Sequence, residues 1–463
     1  MPALAASALL LAAGCSAEPG PRSAAAPGRA PDAASSTAAR PDDGRPLAVA
    51  AAPAAIPTAV ARPGTAGGGA HRSALAVTSY DSRTRRAVIS RTHNGDPSAS
   101  PTAGGTAAPS RTAVGDVIAS APVPGAPDGL LAKVTEVIGE KPDGTEVRTA
   151  PATLDALLGD GEAKGTVPVD PASFDVERLL PDVKVSWART ADAHAGPEGA
   201  KVPLGSLRVD VAGRVATAED APASAAATVS GYVQVKPEVD FSYGGGSTGS
   251  GPATAHLGVS GDWTSRWALK GRAAASARPV RLPFAKLHAD PVLQVGPVPV
   301  VVNLDLTCYF QISGDGRVTV DIEQDLKGDF EAGGTYDSAR GWTPVDESHM
   351  ASTPVHALVT TAGGVKAALG AQATVGLYGA VGVTADLAPY LRGEAAGTVD
   401  VTSPAGSGTK ADAGTTGTWG VYGGLDLSGT LRIQLSVFGT PVLQRGIPLG
   451  ALHREWRLAG SGG

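Results

Sequence analysis

The sequence predicts a mainly β protein built from long, curved antiparallel sheets, either a sandwich or a barrel-like sheet, with one short helix and a disordered N-terminal tether. Three observations predict this fold class. Runs that alternate apolar and polar residues follow one another through most of the chain. Glycines, 61 in all, interrupt these runs and let long strands bend. A single segment has leucines at helical spacing.

The first 72 residues differ in composition from the rest. Residues 3–14 form an apolar run whose length suits the apolar region of a signal peptide and falls short of the ~20 residues that span a bilayer. Residues 15–72 are mainly Ala, Pro, Gly and Ser, and their repeated prolines oppose helix formation. We therefore expect a signal peptide over 1–14 and a disordered tether over 15–72.

The residues around Cys15 carry the clearest motif. Ala12-Ala13-Gly14-Cys15 resembles a bacterial lipobox, in which the cysteine thiol is joined to diacylglycerol and the peptide before the cysteine is removed. The resemblance implies signal cleavage between Gly14 and Cys15, lipidation of Cys15, and a mature protein held by its lipid on the extracellular face of the cell membrane. An ordinary secretion signal is the alternative.

Residues 73–200 are expected to form a small β-rich domain. The segment ALAVTSYDSRTRRAVIS predicts two short strands around a polar turn, and Pro142-Asp143-Gly144 predicts a second turn between strands. The segment TAPATLDALLGDG predicts the helix, near residues 151–158: Pro151 suits a first turn, Leu154, Leu157 and Leu158 share one face, and a following glycine can end it.

Residues 201–463 are expected to form a larger all-β domain. Ser313-Gly314-Asp315-Gly316 predicts a hairpin turn between two extended runs. Residues 375–387 and 419–431 align as a repeat with apolar residues at alternate positions, which we interpret as two antiparallel strands of one sheet rather than a duplicated ligand-binding unit.

Two further features relate the chain to known proteins. The segments GDVIAS, GLLAKVTEV and RTAPATLDALL resemble a part of uncharacterised secreted β-rich bacterial proteins. The composition, rich in Ala, Arg and Gly and poor in Lys, Met and Ile, resembles that of actinobacterial, streptomycete-like proteins. Together with the lipobox, these resemblances imply an exported actinobacterial lipoprotein, and they imply no particular activity.

Motifs that would carry chemistry are not found in the sequence. Residues 244–249 fit two glycine-rich patterns, but no helix can begin after them, so we interpret them as a hairpin loop. No catalytic residue, no metal ligand set and no cofactor is predicted. The net charge of −6 and the lack of a basic cluster argue against nucleic acid as a partner. Cys308, within an apolar run, is expected to be a buried thiol.

Five residues are the candidates for a binding site. Trp342 and Trp456 are predicted in exposed positions where an indole can stack on a ligand. Asp321, Glu323 and Asp325 alternate along one predicted strand and share its polar face, which we interpret as a solvated face, with calcium binding as the alternative.

These features lead to a hypothesis and two alternatives. The hypothesis is a lipid-anchored, non-enzymatic binding or structural module of the cell envelope, with the membrane as one partner and cell wall or a surface protein as another. The first alternative is an envelope-acting hydrolase with carboxylates dispersed over several strands. The second is a carrier that encloses a lipid or other apolar ligand within curved strands.

Overall fold

The fold is seen in a computed structural model of the chain. The structure describes residues 46–53, 55–62, 70–91, 111–180, 183–188, 194–196, 199–201, 206–216, 226–246, 251–275, 279–314, 316–402, 418–431, 435–440 and 446–460. Within these ranges strands dominate, and no helix has the length and apolar character needed to cross a bilayer. The predicted fold class, long antiparallel sheets with one short helix, is confirmed.

The N-terminal part of the described chain contains eight short strands and the helix α1. They are β1 (Val49–Ala51), β2 (Ala59–Ala61), β3 (His71–Arg72), β4 (Leu75–Asp81), β5 (Arg86–Arg91), β6 (Val117–Ser120), β7 (Leu130–Lys141), β8 (Gly144–Pro151) and α1 (Asp155–Leu158). All but β1 of these strands pair in one seven-stranded sheet, in the order β3-β2-β6-β7-β8-β5-β4. The predicted hairpin β4–β5 is present. The predicted helix is present but shorter than expected: Pro151 is the last residue of β8, where it pairs with Ala132, and the helix runs over Asp155–Leu158 before Gly159.

The small sheet buries one core of aliphatic side chains, among them Val60, Val77, Ile89, Val134 and Val147. Its other face joins the main core, because Ala59, Ala61, Val117 and Ala119 pack with Leu154, Leu157 and Leu158 of the helix segment. The helix of four residues is too short to be stable alone, so this packing holds it.

The remaining strands are longer. They are β9 (Glu162–Pro168), β10 (Asp175–Arg178), β11 (Lys184–Ala188), β12 (His194–Gly196), β13 (Gly199–Lys201), β14 (Ser206–Ala216), β15 (Ala226–Gly245), β16 (Pro252–Ala275), β17 (Val280–Ala289), β18 (Val292–Val295), β19 (Val298–Gly314), β20 (Gly316–Asp337), β21 (Gly341–Leu377), β22 (Ala380–Thr402), β23 (Trp419–Leu431) and β24 (Ile447–Gly460). Two 3-10 turns lie at Pro171–Ser173 and Leu435–Phe438. Apart from the β12–β13 pair, these strands and β1 form one fifteen-stranded sheet. Its main strand order is β1-β18-β19-β21-β20-β16-β15-β14-β11, and the other strands pair along branches of this order.

The predicted hairpin turn at residues 313–316 is wrong. Gly314 of β19 pairs with Val365 of β21, and Thr319 of β20 pairs with Thr360 of the same strand. From Gly314 to Thr319 the chain advances five residues, and the paired position on β21 moves back by the same five residues, from Val365 to Thr360. The antiparallel register with β21 is therefore the same for β19 and for the start of β20. β19 and β20 therefore continue one another along β21, and the hairpin turn lies at residues 338–340. A local glycine pattern marks a point where the backbone can bend, and it does not establish that the chain reverses.

The long strands bend strongly. Cys308 and Phe330 are 22 residues apart on β19 and β20, which is roughly 70 Å of fully extended strand. Both side chains nevertheless line the same interior cavity, together with Val209 of β14 and Leu427 of β23. The sheet therefore curves back over itself, as the interior glycines predict, and buries one continuous core between its parts.

The repeat contains a turn that the alternation conceals. β21 ends at Leu377 and β22 begins at Ala380, so residues 375–387 are a hairpin and not the single strand expected from the sequence. Tyr378 has a φ of 49°, which few non-glycine residues adopt, and Gly379 follows with a φ of 77°. The interpretation of the repeat as neighbouring strands holds for β22 and β23, which pair antiparallel.

The predicted tether is too long and the predicted domain boundary does not coincide with the sheets. β1, β2 and β3 lie within residues 15–72, and Ala59, Val60 and Ala61 are buried. Two or three small apolar residues suffice to pair with an existing sheet edge, although they show no periodicity in sequence. Downstream, β9, β10 and β11 precede residue 201 yet pair with strands of the large sheet.

Candidate functional site

A cleft of about 560 Å³ lies where the small sheet meets the β21–β22 turn of the large sheet, and we call it the junction cleft. Its walls come from the β4 end, the β6–β7 loop, the segment before α1 and the β21–β22 turn. The lining residues are Tyr80, Ser82, Gly125, Ala126, Pro127, Asp128, Gly129, Leu130, Leu131, Pro151, Ala152, Thr153, Leu377, Tyr378, Ala380 and Val437. Apolar and aromatic groups with a few hydroxyls and one carboxylate are typical of a small-molecule site.

The β6–β7 loop is held tightly against both sheets. Tyr80 N donates to Pro124 O at 2.9 Å, and Gly125 has a φ of 84°. A Cβ at Gly125 would lie 1.7 Å from the carbonyl oxygen of Tyr80, so only glycine fits. At Gly129 a Cβ would lie 2.5 Å from a Val301 methyl carbon on β19. The loop therefore has little freedom, and the cleft is largely preformed.

The opposite wall depends on Tyr378. Its backbone N donates to Val301 O at 3.2 Å, and its hydroxyl donates to Pro299 O. Burial raises the pKa of this hydroxyl well above its ordinary value. The phenol thus remains protonated and acts as an anchor that holds the strained turn in place.

A cluster of acidic residues around one histidine borders the cleft at Asp128. Oxygen atoms of Asp128 and Asp290 and a ring nitrogen of His288 lie within 4.8 Å of one another. His288 Nε2 is 3.0 Å from Asp290 Oδ2, and His288 Nδ1 is 2.8 Å from Asp305 Oδ1. Within the described ranges this is the group with the composition and spacing of a metal site, whereas the sequence predicted none.

Burial and neighbouring charges shift the pKa values of Asp128 and His288 in this cluster. Burial raises the pKa of Asp128, and the negative charge of Asp290 raises it further. The pKa of His288 is raised overall: burial lowers it, and the hydrogen bonds and charges of Asp305 and Asp290 outweigh that effect. The cluster therefore favours positive charge at its centre.

A second polar hollow of about 290 Å³, the acidic groove, lies on β15, β16, β20 and β21. Glu238, Ser260, Glu331 and Glu347 occupy directly paired positions across these four strands. Burial raises the pKa of Glu331, and the neighbouring charges of Asp240 and Glu347 raise it further. Glu331 and Glu347 are direct cross-strand neighbours, whereas Ser260 separates Glu331 from Glu238, so one pair of carboxyl groups in this groove is held close together.

The interior of the large sheet contains a third, nearly apolar cavity. Its volume is about 90 Å³, and Val235, Trp263, Leu306 and Phe330 are among its lining residues. An engineered apolar cavity of about 150 Å³ holds only a benzene-sized ligand. This cavity is therefore too small to hold a whole acyl chain.

The two tryptophans proposed for binding lie in different surroundings. Trp342 is on β21, not in a loop, and is only 7% exposed, so the prediction of an exposed indole is wrong. Its ring packs on Tyr336 and Phe438, and its Nε1 donates to Thr440 Oγ1 at 3.2 Å. The glycine and proline of GWTPVD are typical of a loop, but the long strand β21 begins at this segment. Trp456, on β24, is half-buried and lies opposite Gly423 of β23.

The three predicted acidic residues do lie along one strand, β20, and all are half-buried. Asp325 is paired with Arg266 of β16, and Asp321 lies 3.3 Å from Lys270 Nζ of the same strand. Asp325, with a smaller contribution from Glu323, raises the pKa of Arg266. Cross-strand cations thus already pair with Asp321 and Asp325, which favours the interpretation of this face as a solvated, ion-paired one.

The two cysteines have separate outcomes. Cys308 is buried, and desolvation raises its pKa to about 12, so the prediction of an inert core thiol is confirmed. The predicted cleavage position between Gly14 and Cys15 and the predicted lipidation of Cys15 both lie outside the described residues. Trp263 and Trp267, which share one face of β16, are both in the core.

Comparison with protein-family models, with curated proteins and with solved structures finds no match to this chain. The junction cleft, the acidic cluster and the acidic groove therefore have to be interpreted from their own chemistry.

Proposed function

We propose that the chain is an exported surface protein, anchored by a lipid on Cys15, that acts as a non-enzymatic binding module of the cell envelope through its junction cleft. The observation that carries this proposal is the cleft itself. Its volume of about 560 Å³ lies in the range of ligand sites, and tightly held elements form its walls. The lipobox resemblance supports the location.

The lining favours an uncharged, hydroxyl-rich ligand. Tyr80 offers an aromatic surface for stacking, and Ser82 and Thr153 offer hydroxyl groups. Asp128 is the one carboxylate among the lining residues, and no lining residue is basic. An envelope glycan has this chemistry, whereas a polyanion would find no basic side chain among the lining residues.

Co-sedimentation with insoluble cell-wall glycan tests the proposal. Ser82→Trp places a bulky ring at an exposed position of the lining, and Arg83→Trp is the matched control, because Arg83 is exposed in the same turn and does not line the cleft. We expect the wild type and Arg83→Trp to sediment equally and Ser82→Trp at least tenfold less. Equal sedimentation of all three, or no sedimentation of the wild type, contradicts the proposal.

Fractionation of cells tests the anchor separately. Cys15→Ala removes the thiol that the lipobox chemistry needs, so the protein should move from the membrane fraction to the soluble extracellular fraction. An unchanged membrane fraction would refute lipidation at Cys15 and leave the cleft proposal standing.

A second function, glycan hydrolysis at the acidic groove, is favoured by one observation: Glu331 has a raised pKa beside two other carboxylates, as a general acid requires. If it operates, the wild type releases reducing sugar from envelope glycan and Glu331→Gln does not. Glu177→Gln is the control, since Glu177 is 62% exposed and pairs with Lys286 elsewhere on the sheet. Absence of sugar release by the wild type counts against this function.

A further inference from the structure

We infer that Asp128, His288 and Asp290 bind one divalent transition-metal ion, Zn²⁺ by its chemistry, which ties the β6–β7 loop of the small sheet to the large sheet. The inference does not depend on the nature of the ligand in the junction cleft. Asp128 comes from the β6–β7 loop, His288 from the end of β17 and Asp290 from the β17–β18 turn. A bound ion would thus join segments more than 150 residues apart in sequence.

The spacing of the three side chains suits a small ion. Their ligating atoms already lie within 4.8 Å of one another, and His288 Nε2 and Asp290 Oδ2 are 3.0 Å apart. Zinc bonds of about 2.0–2.2 Å in a tetrahedral arrangement place ligand atoms ~3.4 Å apart. Small side-chain adjustments therefore suffice to close the site around the ion.

The surrounding residues orient the ligands as those of metal sites do. Asp305 engages His288 Nδ1 at 2.8 Å and so directs Nε2 toward Asp290. Asn303, which is only 8% exposed, donates to Asp290 Oδ1 at 2.7 Å and faces Asp128 Oδ1 at 3.5 Å. Its own carbonyl oxygen accepts from Gly379 N at 2.6 Å, which fixes the direction of the amide.

The balance of charge points independently to a cation. Three carboxylates, those of Asp128, Asp290 and Asp305, surround a single imidazole. Even a protonated His288 leaves two negative charges uncompensated within the cluster. The hydrogen bonds and ion pairs described for these three aspartates involve no lysine or arginine. A dication would supply the missing charge.

The donor set selects the kind of metal. One imidazole nitrogen with two carboxylate oxygens suits Zn²⁺ and related borderline ions, whereas Ca²⁺ and Mg²⁺ prefer oxygen donors throughout. Three protein ligands leave a zinc ion at least one further position for water or for a group of a bound molecule. Asp128 also lines the junction cleft, so the proposed ion lies at the edge of that cleft.

Titration of the chelator-stripped full chain with Zn²⁺ by calorimetry, with parallel thermal unfolding, tests the inference. Asp290→Asn and Asp128→Asn each remove a charged ligand at nearly constant shape. Asp329→Asn is the matched control, because Asp329 pairs with His349 at 2.9 Å on the wall of the acidic groove, so it removes the carboxylate of a different His–Asp pair. We expect one tight Zn²⁺ per chain in the wild type and in the control, with a rise in unfolding temperature.

The two ligand variants should bind Zn²⁺ at least tenfold more weakly and lose the rise in unfolding temperature. Circular dichroism checks that they fold, and if Asp290→Asn does not fold, Asp128→Asn in the loop decides alone. Equal Zn²⁺ binding by the wild type and a folded ligand variant would overturn the inference, because the ion would then occupy scattered surface histidines. Tight binding of Ca²⁺ or Mg²⁺ in place of Zn²⁺, or no binding by the wild type, would overturn it as well.

Discussion

Tyr390 of β22 lies with its ring directly against Gly424, its paired residue on β23. A Cβ on Gly424 would be 2.1 Å from Cζ of that ring, and Lys366 Nζ lies 3.6 Å from the ring centroid. The same arrangement recurs on β19 and β21, where Tyr309 covers Gly370 and Arg281 lies 3.8 Å from its ring centroid. In both places an aromatic ring covers a glycine that lets the curved sheet bend.

Gly424→Ala tests this arrangement. The added methyl group would displace the ring of Tyr390, which hydrogen-bonds Glu455 at 3.0 Å and is fully buried. We expect a loss of about 1–3 kcal/mol in the free energy of unfolding, measured by urea denaturation. Gly364→Ala is the control, because the closest atom to a Cβ there is at an ordinary contact distance of 3.8 Å. Equal stability of the two variants would show that Tyr390 moves aside without cost.

These glycines also show how far the sequence predicts the fold. Alternation and interior glycines predict long, bent strands, and the helix at Asp155–Leu158 follows from three leucines and a terminal glycine. Strand pairing over distance is not predictable in this way. Residues 313–316 have the local pattern of a hairpin turn, but both flanking strands continue along β21, and only the register of that distant strand decides the outcome.

Pairing between distant strands also explains why the candidate sites could not be predicted from the sequence. Asp128, His288 and Asp290 are brought together by a loop of the small sheet and by a turn of the large sheet, so no spacing in the sequence predicts their approach. Glu331 has its raised pKa because the sheet buries it and because β15 and β21 place Asp240 and Glu347 beside it. Trp342 has a sequence context typical of an exposed loop, yet the sheet covers it with Tyr336 and Phe438.

Glu331→Gln should stabilise the folded protein at neutral pH. The raised pKa means that the folded state disfavours the ionised carboxylate, so the contribution of Glu331 to stability is favourable below the unfolded pKa of about 4.3 and is lost as the pH rises. The gain of the glutamine variant, within about 1 kcal/mol, should thus appear at pH 7 and vanish below pH 4. Denaturation at both pH values measures it, and a gain that is equal at both would contradict the assigned cause.

His256 on β16 should make the fold sensitive to mild acid. The pKa of His256 is lowered overall: burial is the largest cause, the charge of Lys164 adds to it, and the charge of Asp240 opposes it. His256 Nδ1 lies 3.0 Å from Thr335 Oγ1. Because the unfolded state takes up a proton near pH 6.5 and the folded state only at lower pH, stability falls as the pH drops through this window. His256→Gln should therefore give a flatter profile of unfolding free energy between pH 7 and 5. The exposed His349, replaced by Gln, is the control, and a profile identical to the wild type in His256→Gln would exclude this role.

Trp342→Phe separates a structural from a ligand-binding role of that indole. The variant loses the hydrogen bond from Nε1 to Thr440 and part of the contact with Phe438, so we expect a loss of about 1–3 kcal/mol in unfolding free energy. Trp456→Phe, at a half-buried position, should cost less than about 1 kcal/mol. Sedimentation of folded Trp342→Phe with cell-wall glycan should equal that of the wild type. A variant of unchanged stability that no longer sediments would instead place Trp342 in the binding site, which its burial between Tyr336 and Phe438 argues against.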